Sequence, residues 1–89
     1  MLEVVYSNKF KKDFKLIKKR GYTISKLKEV LEILVKKSNL QEKYRDHALT
    51  GELLGFRELH IAPDWLLIYK IESTTLILAR TGTHSDLFN

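Results

Sequence analysis

Three histidines occur in the chain, and all of them lie in its second half, at turns or at the ends of apolar runs. His47 stands in a polar stretch, His60 comes shortly before a turn that contains Asp64, and His84 follows an Arg-Thr-Gly run. Imidazole titrates near neutral pH and can give or take a proton. Because reactive side chains are often held on loops carried by a rigid scaffold, we expect these four groups to converge on one site.

Guanidinium and aromatic side chains lie close to the histidines in the sequence. Arg57 and Arg80 can each hold two phosphate oxygens in a fork, and Trp65 and Phe88 offer flat surfaces on which bases stack. This combination suits cleavage of RNA by its own 2′-hydroxyl. That reaction needs a base for the hydroxyl, an acid for the leaving 5′-oxygen and cations for the phosphate.

Other interpretations of the same residues stay open at this stage. A single histidine at a turn is usually a surface hydrogen-bonding group, and Trp65 and Phe88 are of types more often found in cores. Three histidines and an aspartate also match the ligands of zinc, but no closely spaced pair such as His-x-x-x-His occurs. We therefore expect neither a metal nor another cofactor.

The first half of the chain carries patterns typical of a scaffold. A short apolar run at residues 2–6 predicts a strand, and Ser7 can cap a helix over residues 8–20 that ends at Gly21. Thr23 or Ser25 then begins a second helix with a broad apolar stripe. Two helices with so short a connection predict an antiparallel hairpin.

The second half predicts a long loop followed by three strands. Residues 38–53 are polar and loop-like, residues 54–61, 65–71 and 75–81 are strands, and residues 83–89 are a tail. Alternation in the first of these strands puts Phe56, Glu58 and His60 on one face. We predict one domain over residues 1–89, of class α+β. Its order is β-α-α-β-β-β, with the helix hairpin packed on a mostly antiparallel four-stranded sheet.

Composition narrows the cell compartment and the class of partner. The chain has no cysteine and a formal charge of +5, and its apolar runs are too short to span a bilayer. We expect a cytoplasmic protein, no membrane association and an anionic partner such as nucleic acid or an acidic protein segment. The seven cations of the first helix fit either a solvated face or a phosphate-facing surface, and the sequence does not separate the two.

Several motifs together resemble the YafQ branch of the RelE/ParE toxin superfamily. The resemblance covers the whole chain, and its specific part is the second half. The motifs are Asp46-His47-Ala48-Leu49-Thr50-Gly51, Gly55-Phe56-Arg57-Glu58, His60-Ile61-Ala62-Pro63-Asp64-Trp65, Leu67-Ile68-Tyr69 and Arg80-Thr81-Gly82-Thr83-His84-Ser85-Asp86-Leu87-Phe88. Relatives often have proline where this chain has Ala48 and glutamine where it has Thr50, and both differences lie in the stretch around His47.

The resemblance implies a toxin of a type II toxin–antitoxin pair that enters the ribosomal A site and cuts messenger RNA there. Its partners would be the ribosome with its rRNA, the messenger and a cognate antitoxin. The implied catalytic set is His47, His60, Asp64 and His84, and the implied phosphate- or RNA-binding set is Arg80, Arg57, Trp65 and Phe88. Two alternatives remain: a non-catalytic gyrase inhibitor like the ParE branch, and a ribosome-independent RNase or RNA-binding module.

Overall fold

A computed structural model describes residues 1–88 and shows three helices against one sheet. The chain order is β1 (Glu3–Tyr6), α1 (Asn8–Lys19), α2 (Ile24–Val35), β2 (His47–Ala48), β3 (Arg57–Ala62), β4 (Trp65–Glu72), β5 (Thr75–Gly82) and α3 (His84–Phe88). The predicted α+β class and the helix hairpin are confirmed. None of the helices in the described part of the chain is both long and apolar enough to cross a membrane.

Local signals explain where the two long helices begin and end. The Ser7 hydroxyl accepts a hydrogen bond of 2.9 Å from the Phe10 N–H, which satisfies one of the unpaired donors at the start of α1. Gly21 follows the end of α1 with a φ of 80°, a conformation that costs glycine little. Buried residues recur at helical spacing and face the sheet: Phe10 and Ile17 in α1, and Leu27, Val30 and Leu34 in α2.

The sheet has five strands in the order β1-β5-β4-β3-β2, so the predicted count of four is wrong by one. β1 pairs with β5 in parallel, and the other neighbours are antiparallel, as expected for a mostly antiparallel sheet. The additional strand, β2, consists of His47 and Ala48 paired with Glu58 and Arg57. Two residues are too few to show an alternating pattern in the sequence. This strand forms because β3 lies beside it and supplies its hydrogen-bond partners.

The stretch predicted as a loop, residues 38–53, is also more ordered than expected. It contains 3₁₀ turns at Glu42–Tyr44 and Gly51–Leu53 on either side of β2. Tyr44 is buried in the core and ties the first turn to the helix hairpin and β3. Single 3₁₀ turns are too short to leave a periodic pattern in the sequence.

The predicted tail is a helix, α3, over the residues that the structure describes, whereas Asn89 lies outside them. The Thr83 hydroxyl accepts a bond of 3.1 Å from the Asp86 N–H, and Asp86 Oδ2 accepts one of 3.0 Å from the Thr83 N–H. This reciprocal pair is a capping box with aspartate in the third position. It gives His84 a fixed backbone.

Candidate active site

His84 and Asp64 are joined at one end of the sheet. His84 begins α3, and Asp64 lies in the turn between β3 and β4. Asp64 Oδ1 is 2.7 Å from Nδ1 of His84 and accepts a second bond of 3.1 Å from the His84 backbone N–H. The ring bond and then the backbone bond lower the pKa of Asp64 below its usual value, so this carboxyl is ionised. Since Nδ1 is engaged, Nε2 of His84 is left for a second partner.

Glu58 connects the other two histidines and is a site residue that the sequence analysis missed. Its side chain is buried, and its Oε1 lies 3.5 Å from Nε2 of His47 and 3.9 Å from Nε2 of His60. The signal that identifies it is the alternation of β3, which puts Glu58 on the same face as His60. His47 reaches the carboxylate because β2 pairs its residue 47 with residue 58 of β3.

The His60 and His84 rings complete the cluster. Their centroids are 5.7 Å apart, and the rings are tilted by 60° to each other. Glu58, His60 and His84 each offer one ligand atom, and these atoms lie within 4.8 Å of one another. The structure therefore brings the three histidines of the predicted catalytic set around the buried Glu58 carboxylate, and Asp64 joins this group through His84. Glu58, His60 and His84 also have the residue types and the spacing that suit a single metal ion.

The segment before His47 is held by a hydrogen-bonded group of three side chains. Arg57 Nε and Nη2 donate to Oδ2 of Asp46 at 3.1 Å and 2.8 Å, and the Tyr69 hydroxyl donates to Oδ1. Burial and the bond to Asp46 raise the pKa of Tyr69, and the same carboxylate raises the pKa of Arg57. The Arg45 carbonyl lies 2.7 Å from Nδ1 of His47. His47 is thus fixed from both sides, and the charge of Arg57 is balanced by Asp46.

Arg80 is also paired with a carboxylate. Its Nε and Nη2 donate to Asp13 of α1 at 2.6 Å and 3.1 Å, and the Thr81 N–H donates to the same carboxylate at 3.1 Å. The bond to Asp13 raises the pKa of Arg80. Both arginines predicted to hold phosphate are therefore already neutralised by a neighbour.

The two predicted aromatic residues have different surroundings. Trp65 is only 4% exposed, contacts the edge of the Tyr22 ring and donates from Nε1 to the Thr81 hydroxyl at 2.9 Å. This position suits support of the site from within the core. Phe88, at the other end of α3 from His84, is 48% exposed and is available to a base.

An ion pair joins α3 to the end of α1. Arg20 donates from Nη1 and Nη2 to the two oxygens of Asp86 at 2.7 Å and 3.2 Å. The bond from Arg20 and the backbone bond from Thr83 hold the pKa of Asp86 well below its usual range. Arg20, one of the seven cations counted on the first helix, thus contacts the helix that carries His84.

Comparisons with known proteins identify the family and agree with this fold. Residues 2–89 match the family described as bacterial toxin of type II toxin–antitoxin system, YafQ. The mRNA interferase toxin YafQ of Escherichia coli K12 is 41% identical over 87 residues, which are 97% of this chain and 95% of that protein.

Solved structures give the same result. A copper-bound mutant toxin from Helicobacter pylori superposes with a TM-score of 0.94 at 43% identity, covering 99% of this chain and all of the other. YafQ in the Escherichia coli DinJ–YafQ complex superposes with a TM-score of 0.91 at 40% identity, with both chains fully covered. The identity, the coverage and the shared fold lead to one conclusion: the chain belongs to the YafQ family of bacterial toxins of type II toxin–antitoxin systems.

Proposed function

We propose that this protein is an mRNA interferase that cuts messenger RNA in the ribosomal A site and so inhibits translation. The observation that carries the proposal is the convergence of His47, His60 and His84 on Glu58, with Asp64 orienting His84. The name and the high identity of the Escherichia coli relative support the same activity. The +5 charge suits a cavity lined by ribosomal RNA.

The reaction proposed is attack by the 2′-hydroxyl on the adjacent phosphorus. One imidazole accepts the 2′-hydroxyl proton as the 2′-oxygen bonds to phosphorus, and the bond to the 5′-oxygen breaks. A second, protonated imidazole gives its proton to that oxygen, leaving a 2′,3′-cyclic phosphate and a 5′-hydroxyl. Exposed His84 and half-buried His60 are the candidates for these two roles. Glu58 stabilises whichever ring is charged.

The remaining predicted residues have supporting roles in this proposal. Arg57, bound to Asp46, positions the segment before His47, Arg80, bound to Asp13, ties β5 to α1, and Phe88 stacks on a base. Trp65 supports the turn that carries Asp64 from within the core. The protein would act in the cytoplasm, and a cognate antitoxin would hold it inactive, as the DinJ–YafQ complex suggests by analogy.

The test is primer extension on a translated messenger with purified ribosomes. We expect the wild type to cut, and His84→Gln or His60→Gln to reduce the cleavage rate by roughly 10²–10⁴-fold. Lys36→Gln, an exposed change at the end of α2, is the control and should cut like the wild type. Unchanged cleavage in both histidine variants would contradict the proposal. Equal cutting of naked RNA would favour a free RNase, and inhibition of DNA supercoiling without cleavage would favour a gyrase inhibitor.

A second candidate property is reversible metal binding at Glu58, His60 and His84. The specific observation is the clustering of their ligand atoms within 4.8 Å, and a similar toxin from Helicobacter pylori is copper-bound. The hydrogen bond that the His84 ring donates to Asp64 would orient His84 as a ligand. Because cleavage as proposed needs a free imidazole, a bound ion would inhibit. We expect cleavage to persist in EDTA and to fall as Cu²⁺ is added, and Glu58→Gln to weaken Cu²⁺ binding in calorimetry.

A further inference from the structure

Three cations that the proposed reaction does not use line a cleft next to His60. Lys26, Lys43 and Arg45 surround a cavity of about 550 Å³ whose wall also includes His60 and the chain from residue 61 to residue 63. This volume falls within the range of sites that hold small molecules. The cleft therefore has room for part of a nucleotide chain beside the histidine cluster.

The positive side chains of this cleft come from two separate elements. Lys26 is on α2, Lys43 is in the 3₁₀ turn at residues 42–44, and Arg45 follows that turn in the left-handed conformation with a φ of 49°. Tyr44 lies between the last two and is buried in the core. The Lys43 ammonium lies 5.1 Å from the centroid of the Tyr44 ring. A buried anchor thus fixes the backbone from which two of the cations project.

The positive charges of this cleft are not balanced by ion pairs with carboxylates, unlike those of Arg57 and Arg80. Within residues 1–88, no carboxylate lies within 4.0 Å of the charged nitrogens of Lys26, Lys43 or Arg45. One acidic residue, Glu29, is among the lining residues. The cleft therefore keeps an excess of positive charge, whereas the predicted phosphate-binding arginines do not.

Lys26 also connects this cleft with the other side of the site. It lines a neighbouring cavity of about 290 Å³ together with Tyr22, Asp64 and Trp65. The two cavities thus share one cation and meet the catalytic cluster at His60 and at Asp64. Positive charge repeated along a path past a reactive site matches the repeated phosphates of a nucleic acid strand.

We propose that Lys26, Lys43 and Arg45 form a binding track for the RNA backbone phosphates that flank the cleaved bond. This inference rests on the proposed function, because it specifies how the same site holds its substrate. It also assigns the phosphate contacts to side chains whose charge is free, in place of the two arginines bound to Asp13 and Asp46. The proposal predicts that removing the three cations lowers the affinity for RNA and leaves the maximal rate of cleavage unchanged.

The experiment compares two triple variants with the same change in charge. One variant removes the three cations of the track. The other removes three exposed lysines that line an apolar groove between α1 and α2, and this groove has no lining residue in common with the cleft that holds the track. Asparagine is chosen at position 45 because it tolerates the left-handed conformation. The track variant is Lys26→Gln/Lys43→Gln/Arg45→Asn, and the control is Lys11→Gln/Lys15→Gln/Lys28→Gln.

Each triple is measured in two ways, after thermal unfolding has shown that both are folded. The first is the dependence of cleavage on toxin concentration with programmed ribosomes. The second is binding in a His84→Gln background, to programmed ribosomes and to a 2′-O-methyl RNA hexanucleotide that cannot be cleaved. The binding arm does not depend on catalysis, so failure of the proposed function and failure of this inference are distinguishable.

We expect the track variant to need at least ~10-fold more toxin for half-maximal cleavage, with the maximal rate retained. Loss of up to three phosphate contacts should reduce the slope of log affinity against log salt by about 2. The control should change much less. Weaker binding to the hexanucleotide as well as to programmed ribosomes supports the proposal. Weaker binding to ribosomes alone would assign these cations to ribosomal RNA and overturn it. Equal losses in the two triples, or no loss in either, would overturn the proposal.

Discussion

Asp64 accepts two hydrogen bonds from the same residue, one from the imidazole Nδ1 of His84 and one from its backbone N–H. Both side chains are more than half exposed, so water competes for the ring bond. The backbone bond holds the carboxylate in place while the ring bond selects which nitrogen of His84 faces Glu58 and His60. The pair therefore orients the histidine more than it stabilises the fold.

Asp64→Asn should lower the maximal cleavage rate by roughly 10–100-fold, because the neutral amide no longer favours a charged imidazole or fixes its orientation. The thermal midpoint should stay the same, since the residue is exposed. Single-turnover cleavage on ribosomes measures the rate, and Glu52→Gln serves as an exposed-carboxylate control. A normal rate in Asp64→Asn would show that the negative charge of Asp64 is not needed for cleavage.

The pH dependence of stability should reveal the ion pair between Arg20 and Asp86. The folded-state pKa of Asp86 lies below its ordinary value of 3.8, so its charge stabilises the folded state fully above that value. This contribution is lost as the pH falls below 3.8 toward the folded-state pKa. Wild type should thus be more stable than Asp86→Asn at neutral pH, and the difference should shrink in acid. Urea unfolding across this range tests it, and a constant difference would contradict it.

Gly82 leaves the space that Asp86 occupies. Its φ is 153°, and a Cβ placed there would lie 3.0 Å from Oδ2 of Asp86. Gly82→Ala should therefore destabilise the protein by roughly 1–3 kcal/mol and displace α3. Gly21→Ala is the matched control, because Gly21 also has a positive φ but nothing within 4 Å of a Cβ. Chemical denaturation gives both free energies of unfolding, and equal losses would show that the contact with Asp86 is unimportant.

Trp65→Phe separates a core role from a base-stacking role. The change removes the Nε1 donor to Thr81, whose hydroxyl still donates to the Leu66 carbonyl. We expect a loss of about 1 kcal/mol or somewhat more in the free energy of unfolding, with RNA affinity unchanged. Fluorescence anisotropy with the 2′-O-methyl hexanucleotide measures the affinity. Weaker binding at unchanged stability would assign Trp65 to base stacking instead.

The strongest periodic patterns in the sequence predicted the fold well. The almost continuous apolar run at residues 65–71 lies in β4, whose first five residues are buried on both faces, and the Gly21 signal ends α1 as expected. Elements that depend on pairing or on a single cap were not recognised. His47 and Ala48 form a strand only because β3 lies beside them, and α3 depends on the two reciprocal bonds between Thr83 and Asp86.

For the site, residue type predicted which side chains meet but not how their charges are balanced. The partners of Arg57 and Arg80 are 11 and 67 residues away in sequence, so no local pattern reveals that each guanidinium is neutralised. Glu58 was visible as a neighbour of His60 on one strand face. A glutamate in an alternating strand ordinarily points to solvent, and only the tertiary structure buries it under two histidines.

The parallel pairing of β1 with β5 determines when the histidine cluster can form during synthesis of the chain. Glu3 lies opposite Thr75 and Tyr6 opposite Leu78, so β1 pairs with a strand that is synthesised long after it. α1 also packs on β5, and we expect β3, which carries His60, and α3, which begins with His84, to meet only after β5 is in place. Such long-range contacts form late in folding. A nascent chain therefore has no assembled histidine cluster until β5 and α3 have been synthesised.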